Sequence, residues 1–142
     1  MANDEEWVRR LNNVNQDRLP GMVGMVVTHA ERGLMRARME AKDKIIAPIG
    51  FLFAPAIVTI ADTLCAYGTG GCLPEGANGF TTIELKTNFM STVRDGNVLC
   101  EAKLVHGGRT TQVWDAVITA EATGKLMALF RCTQAVLWPK GS

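Results

Sequence analysis

A chain of 142 residues, 47% of them apolar, is long enough to bury one hydrophobic core. Fifteen lysines and arginines stand against fourteen aspartates and glutamates, a balance that excludes the strongly basic pattern of a nucleic-acid or anionic-membrane binder and leaves room for a small anionic ligand met by local charges. No apolar run is long enough to span a bilayer, and the four cysteines (Cys65, Cys72, Cys100 and Cys132) lie in or beside apolar segments without metal-ligand spacing, as expected of reduced core thiols.

The first residues, "MANDEEWVRRLNNVNQ", are acidic and then amphipathic. They lack the basic start, apolar stretch and cleavage site of a secretory signal, so a cytoplasmic protein is expected. Asn3 is the expected N-cap of a short helix with an acidic first turn and with Trp7, Val8 and Leu11 on one side. That helix forms an extension over residues 1–19, closed by Pro20 and Gly21. "MVGMVVTHAERGLMRARMEA" follows, two strands about the turn "AERG", the second alternating Met35, Ala37 and Met39 with Arg36, Arg38 and Glu40. This pattern predicts a hairpin.

"KDKIIAPIG" is a loop, and "FAPAIVTIADTLCAYG", residues 53–68, is a helix with Pro55 in the first turn, where a missing N–H costs nothing. Ile57, Ile60, Ala61 and Leu64 follow the i, i+3, i+4, i+7 spacing of a face packed on a sheet. "GTGGCLPEGANG" reads as a glycine-rich loop. Four strands come next, "FTTIELKTNFM", "GNVLCEAKLVHG", "TTQVWDAVITAEA" and "KLMALFRCTQAVLW", with Asp-Gly, Gly-Gly and Thr-Gly turn signals between them. A four-stranded meander is expected.

Helix, hairpin, long helix and meander do not alternate strand with helix, so the fold class is α+β, an antiparallel sheet of about six strands curved around the long helix. No repeat or linker interrupts it, and residues 1–142 are expected as one domain. Apolar alternation on both faces of the sheet points to association through an edge or the uncovered face.

Asp62 is the anomaly. It sits near the middle of the apolar helix, off the buried stripe, on a narrower face shared with Pro55, Val58, Thr59 and Ala66. A carboxylate in such a place is costly unless it is hydrogen-bonded or put to use. Either Thr59 or Thr63 satisfies it, or it faces a partner or cleft and does chemistry.

The segment order, with "IADTLCAYG", "TTIELKTNFMSTVRDGNVLCEAKLVHGGRTTQVWDAVI" and "ALFRCTQAV", resembles the hotdog-fold acyl-CoA thioesterases of the phenylacetic-acid-degradation and 4-hydroxybenzoyl-CoA thioesterase type over residues 20–137. The resemblance implies a hotdog fold and hydrolysis of an acyl- or aryl-CoA to free acid and coenzyme A. It implies that Asp62 acts on the thioester carbonyl, as nucleophile or as general base. It also implies a homodimer or a homotetramer built as a dimer of dimers, with each site between two subunits. No metal or cofactor is expected, coenzyme A being part of the substrate.

Where that family carries "HGG" before the acid, this chain has Phe53, Ala54 and Pro55. Proline has no N–H, so the donor to the thioester oxygen is expected from Ala54, or from its neighbour Ala56, at the helix N-terminus. Phe53, Pro55 and Ala66 are expected to line the acyl site, with Phe51, Leu52 and Tyr67 near it. By the same resemblance the "HGGRTTQ" region lies near the coenzyme A nucleotide, which makes Arg109 and Thr110 candidate contacts, with Arg94 and Lys86 behind them and Ser91 standing where relatives place an arginine. Trp114 and Phe89, on alternating strand positions, are expected as core or interface aromatics. His29 and His106 come without a GxSxG elbow and do not support a serine triad. A non-catalytic acyl-CoA-binding module is the alternative reading, and Phe53 argues against a hydratase that needs a histidine near the active helix.

Overall fold

The computed structural model describes residues 2–141. Helix α1 (Glu5–Asn15) is followed by the short α2 (Leu19–Met22), the hairpin β1 (Val26–Glu31) and β2 (Leu34–Glu40), a 3-10 turn (Asp43–Ile45) and the long α3 (Ala54–Gly71). Strands β3 (Gly79–Phe89), β4 (Asn97–Gly107), β5 (Thr111–Ala120) and β6 (Leu126–Leu137) complete the chain. The N-cap of α1 is Asp4 and not Asn3: an Asp4 carboxylate oxygen accepts from Trp7 N at 2.9 Å, while the Asn3 side chain accepts from Ala30 N at 2.8 Å and ties the extension to β1. Both types cap well, and the tertiary bond to Ala30 selects between them.

All strand pairs are antiparallel, in the order β1-β2-β4-β5-β6-β3. The hairpin forms as its alternation predicts, turning at Arg32 and Gly33, where Gly33 takes φ +88°. The four later strands are not a simple meander. β3 does not pair with β4; it crosses to the far edge and pairs with β6 from Gly79↔Leu137 to Phe89↔Ala128. The "VRDGN" turn signal is real, with Gly96 at φ +85°, but it serves this crossover. Crossing over leaves β3 as an edge strand that exposes Ile83, Leu85 and Phe89.

The curved sheet wraps α3, the arrangement that the hotdog resemblance implies. Ile60, Ala61 and Leu64 are fully buried and Ile57 nearly so, against Met35, Met39, Val98, Trp114, Ile118 and Met127 of the sheet side. At ~2 kcal/mol for each fully buried large aliphatic side chain, this stripe is what holds the helix in place.

Helix α3 runs to Gly71, so "GTGG" is its last turn and not the start of a loop. Glycine is a poor helix former, and tertiary packing is the reason for it here. A Cβ on Gly68 would lie 2.4 Å from the Trp114 ring, and one on Gly71 would lie 2.3 Å from the Trp7 ring. The two tryptophans close on bare backbone. Gly68→Ala is expected to cost about 1–3 kcal/mol by overpacking against a fully buried ring. Gly70→Ala, whose nearest new contact is 3.7 Å away at Phe80, is expected to raise the melting temperature, since alanine gains ~1 kcal/mol of helix propensity. Thermal melts of the two variants check both signs.

Candidate active site

The start of α3 is pinned before the helix begins. Phe53 N donates to Ile45 O at 2.8 Å, Leu52 N to Val93 O at 2.9 Å, and Ala47 N to Phe51 O at 2.7 Å. Leu52 is buried beneath them. Phe53 is the N-cap residue, extended at φ −69°, ψ 123° and without a side-chain cap bond. Ala56 N donates to the Phe53 carbonyl at 3.0 Å, which removes it as the free donor. Pro55 has no N–H. Ala54 N bonds to no described atom, so of the two donors expected from the sequence it is the one left available. Phe53, Ala54 and Pro55 all face solvent in the single chain.

Asp62 is the one charged residue of α3. Its Oδ1 is inaccessible to solvent and has no hydrogen-bond partner. Thr59 donates instead to the Pro55 carbonyl at 2.8 Å, and Thr63 gives no bond to the acid, so the satisfied-carboxylate alternative lacks its bond. Burial pushes the Asp62 carboxyl above its ordinary value of 3.8. Ionising it therefore costs more in the folded chain than in the unfolded one, so stability is lost as pH rises through the folded-state pKa and is restored below the ordinary value. Asp62→Asn is expected to melt above the parent protein at neutral pH, with the gap closing as the pH falls past the ordinary carboxylate range. Melts across a pH series check the sign.

The four cysteines lie in the core, where the hydrogen bond with Cys65 holds the Cys132 thiol below its ordinary value while the other three are raised. All four are free and buried. A hydrogen bond with Cys132 and burial hold the Cys65 thiol well above its ordinary value, and burial pushes Cys100 up to about 12. His29 is engaged by Glu31, with Nε2 2.9 Å from the carboxylate.

The expected coenzyme A contacts separate. Arg94 stacks on the Phe51 ring, 4.0 Å from its centroid, on the crossover that also anchors the start of α3. Arg109 stacks on Trp138 at 4.1 Å, and the Thr110 carbonyl accepts from Val136 N; this β4–β5 turn lies toward the other end of α3, where Gln112 Nε2 donates to Cys72 O. Within one chain Arg94 and Arg109 do not meet. Lys86 pairs across the sheet with Arg131, itself bonded to Asp115, on the face away from α3, and the Ser91 hydroxyl is spent on the Leu126 carbonyl. Trp114 is in the core, whereas Phe89 is half-exposed on the β3 edge.

Two features were beyond sequence reasoning. Tyr67 donates its hydroxyl to the buried Asn15, tying α1 to α3, and Ala66 and Tyr67 border a cleft with α1. Both depend on contacts between segments about fifty residues apart.

The description of the thioesterase superfamily matches residues 49–127, which include the α3 start and Asp62. A 1,4-dihydroxy-2-naphthoyl-CoA hydrolase from Listeria monocytogenes is 30% identical over 114 residues, covering 80% of this chain and 91% of the relative. The proofreading thioesterase EntH from Klebsiella pneumoniae is 28% identical over 127 residues, covering 89% and 91%. A crystal structure of a mutant of thioesterase PA1618 from Pseudomonas aeruginosa superposes with a TM-score of 0.85 at 26% identity, covering 92% of this chain and 93% of that one.

Proposed function

The chain belongs to the thioesterase superfamily, and from that premise we propose that it is an acyl-CoA thioesterase whose site is shared between two protomers. In this reading it hydrolyses an acyl- or aryl-CoA to free acid and coenzyme A. Asp62 attacks the carbonyl carbon, or takes the proton of the water that does, and the Ala54 N–H holds the developing oxyanion at a helix N-terminus. Collapse of the tetrahedral species expels the thiolate of coenzyme A, leaving the free acid where water attacked, or an anhydride on Asp62 that a water then hydrolyses to the free acid and the regenerated carboxylate. A thioester is already electrophilic, so no metal or cofactor is invoked.

The observation that carries this reading is a spacing. Asp62 and Ala54 lie eight residues apart on one continuous helix, about 12 Å along its axis at 1.5 Å per residue. A carboxylate and an N–H that far apart cannot both touch one thioester carbonyl, which needs each within ~3.5 Å. Two α3 helices side by side and antiparallel bring Asp62 of one protomer to Ala54 of the other. The same operation brings the Arg109–Thr110 turn of one protomer toward Arg94 of the other, which suits the phosphates at the far end of coenzyme A. Phe53, Pro55 and Ala66 then border the acyl group. Strand β3 supports the pairing, since a long apolar edge left open in one chain is a template for a second copy.

The test is a hydrolysis screen of short, long and aromatic acyl-CoA thioesters with the parent protein and Asp62→Asn. Turnover in the parent that is lost in the variant supports the reading. Tight binding without turnover in the parent overturns it in favour of a binding module. Sedimentation is expected to find at least a dimer at assay concentration, and an active monomer would contradict the shared site.

A further inference from the structure

Between α1 and α3 lies a cleft of about 440 Å³, within the ~300–1,000 Å³ typical of small-molecule sites. Its walls are aromatic, from Trp7, Tyr67 and Phe80, and its helical side is small, from Ala66 and Gly70. Arg10 borders it and makes no ion pair or hydrogen bond among the described residues, whereas the adjacent Arg9 is paired with Glu6. The acid that also lines the cleft, Asp4, is occupied in capping α1. An unpaired guanidinium beside aromatic walls has the chemistry to hold a flat acyl group that ends in an anion.

Position connects this cleft to the thioester. Ala66 and Gly70 lie one and two turns beyond Asp62 on the same helix face, ~6 and ~12 Å along the axis. The lining of the cleft therefore begins one turn beyond Asp62, at Ala66, and Trp7, Phe80 and Arg10 share that lining. We propose that the cleft between α1 and α3 is the acyl pocket and that Arg10 selects an aromatic acyl group bearing a carboxylate on the end distal to the thioester. This rests on the thioesterase reading and adds the substrate class to it.

The test compares 4-carboxyphenylacetyl-CoA with phenylacetyl-CoA. The parent is expected to prefer the carboxylated substrate by at least ~10-fold in kcat/KM, the size of one charge-assisted hydrogen bond. Arg10→Gln is expected to abolish that ratio through KM and not kcat, and Arg9→Gln to leave it unchanged. Gly70→Leu, a substitution that favours the helix, fills the cleft and is expected to cost the aryl substrates at least ~10-fold relative to acetyl-CoA. The same two aryl ligands are titrated into Asp62→Asn, with and without Arg10→Gln, so that selection is also read as a Kd ratio without turnover. Absent turnover with an Arg10-dependent Kd ratio overturns the hydrolase and keeps the pocket. Normal turnover with no preference, or with one that Arg10→Gln leaves intact, overturns the pocket and keeps the hydrolase, as does a Gly70→Leu variant that accepts aryl groups like the parent.

Discussion

Asp62→Asn is expected to lower kcat by at least ~100-fold, the usual range for loss of a positioned base or nucleophile, while the protein remains folded and melts no lower than the parent. The two halves of this expectation share one cause. Asp62 Oδ1 is buried without a hydrogen bond, so the folded chain gains nothing from its charge, and burial holds the carboxyl above its ordinary value. Asparagine has nearly the same shape and carries no charge to desolvate. A structural carboxylate would behave in the opposite way: its removal would leave a partner unpaired and lower the melting temperature. Kinetics and melting curves on one preparation therefore distinguish the roles. An active variant removes Asp62 from the mechanism, and a destabilised one assigns it to the fold.

Ala54→Pro is expected to lower kcat by ~100- to 1,000-fold, the cost of deleting one oxyanion donor. The usual objection to a proline variant is that the fold breaks, and here the local geometry answers it. Ala54 is the first residue of α3, where proline is well tolerated, and its N–H bonds to no described atom. Phe53 already has the extended conformation that a residue before proline requires, at ψ 123°. The variant therefore removes an unpaired donor from an otherwise unchanged helix start. Ala54→Gly keeps the N–H and is expected to retain most activity, and Phe53→His is expected to change acyl preference more than rate. A folded and fully active Ala54→Pro would show that another group polarises the carbonyl.

The local features of the fold were legible because they are written in short-range periodicity. The α3 stripe of Ile57, Ile60, Ala61 and Leu64 and the alternation of Met35, Ala37 and Met39 each name a buried face, and each is buried. Features set at long range were not. "GTGG" has a loop's composition, and only the rings of Trp114 and Trp7 explain why the helix continues through it. The turn signal after β3 marks a real reversal in backbone conformation, but no local pattern states which strand β3 will pair with. At the site, Asp62 stood out because a lone acid in an apolar helix demands a reason. Ala54 could be narrowed from two candidates only once the bond from Ala56 to the Phe53 carbonyl was located. Arg10 carried no signal, since a charged residue on an amphipathic helix is ordinary until the packing of that helix leaves it facing a cleft.

The shared site is tested most directly by mixing the two inactive variants. Protomers carrying Asp62→Asn and protomers carrying Ala54→Pro are unfolded together, refolded at equal amounts, and assayed against each variant refolded alone. In a mixed dimer one site receives both substitutions and the other receives neither. Random pairing is therefore expected to restore about a quarter of the parent's activity, while each variant alone stays inactive. Activity in the mixture no higher than in the separate variants, with mixed dimers demonstrably present, would place both groups of a working site in one chain and contradict the shared site.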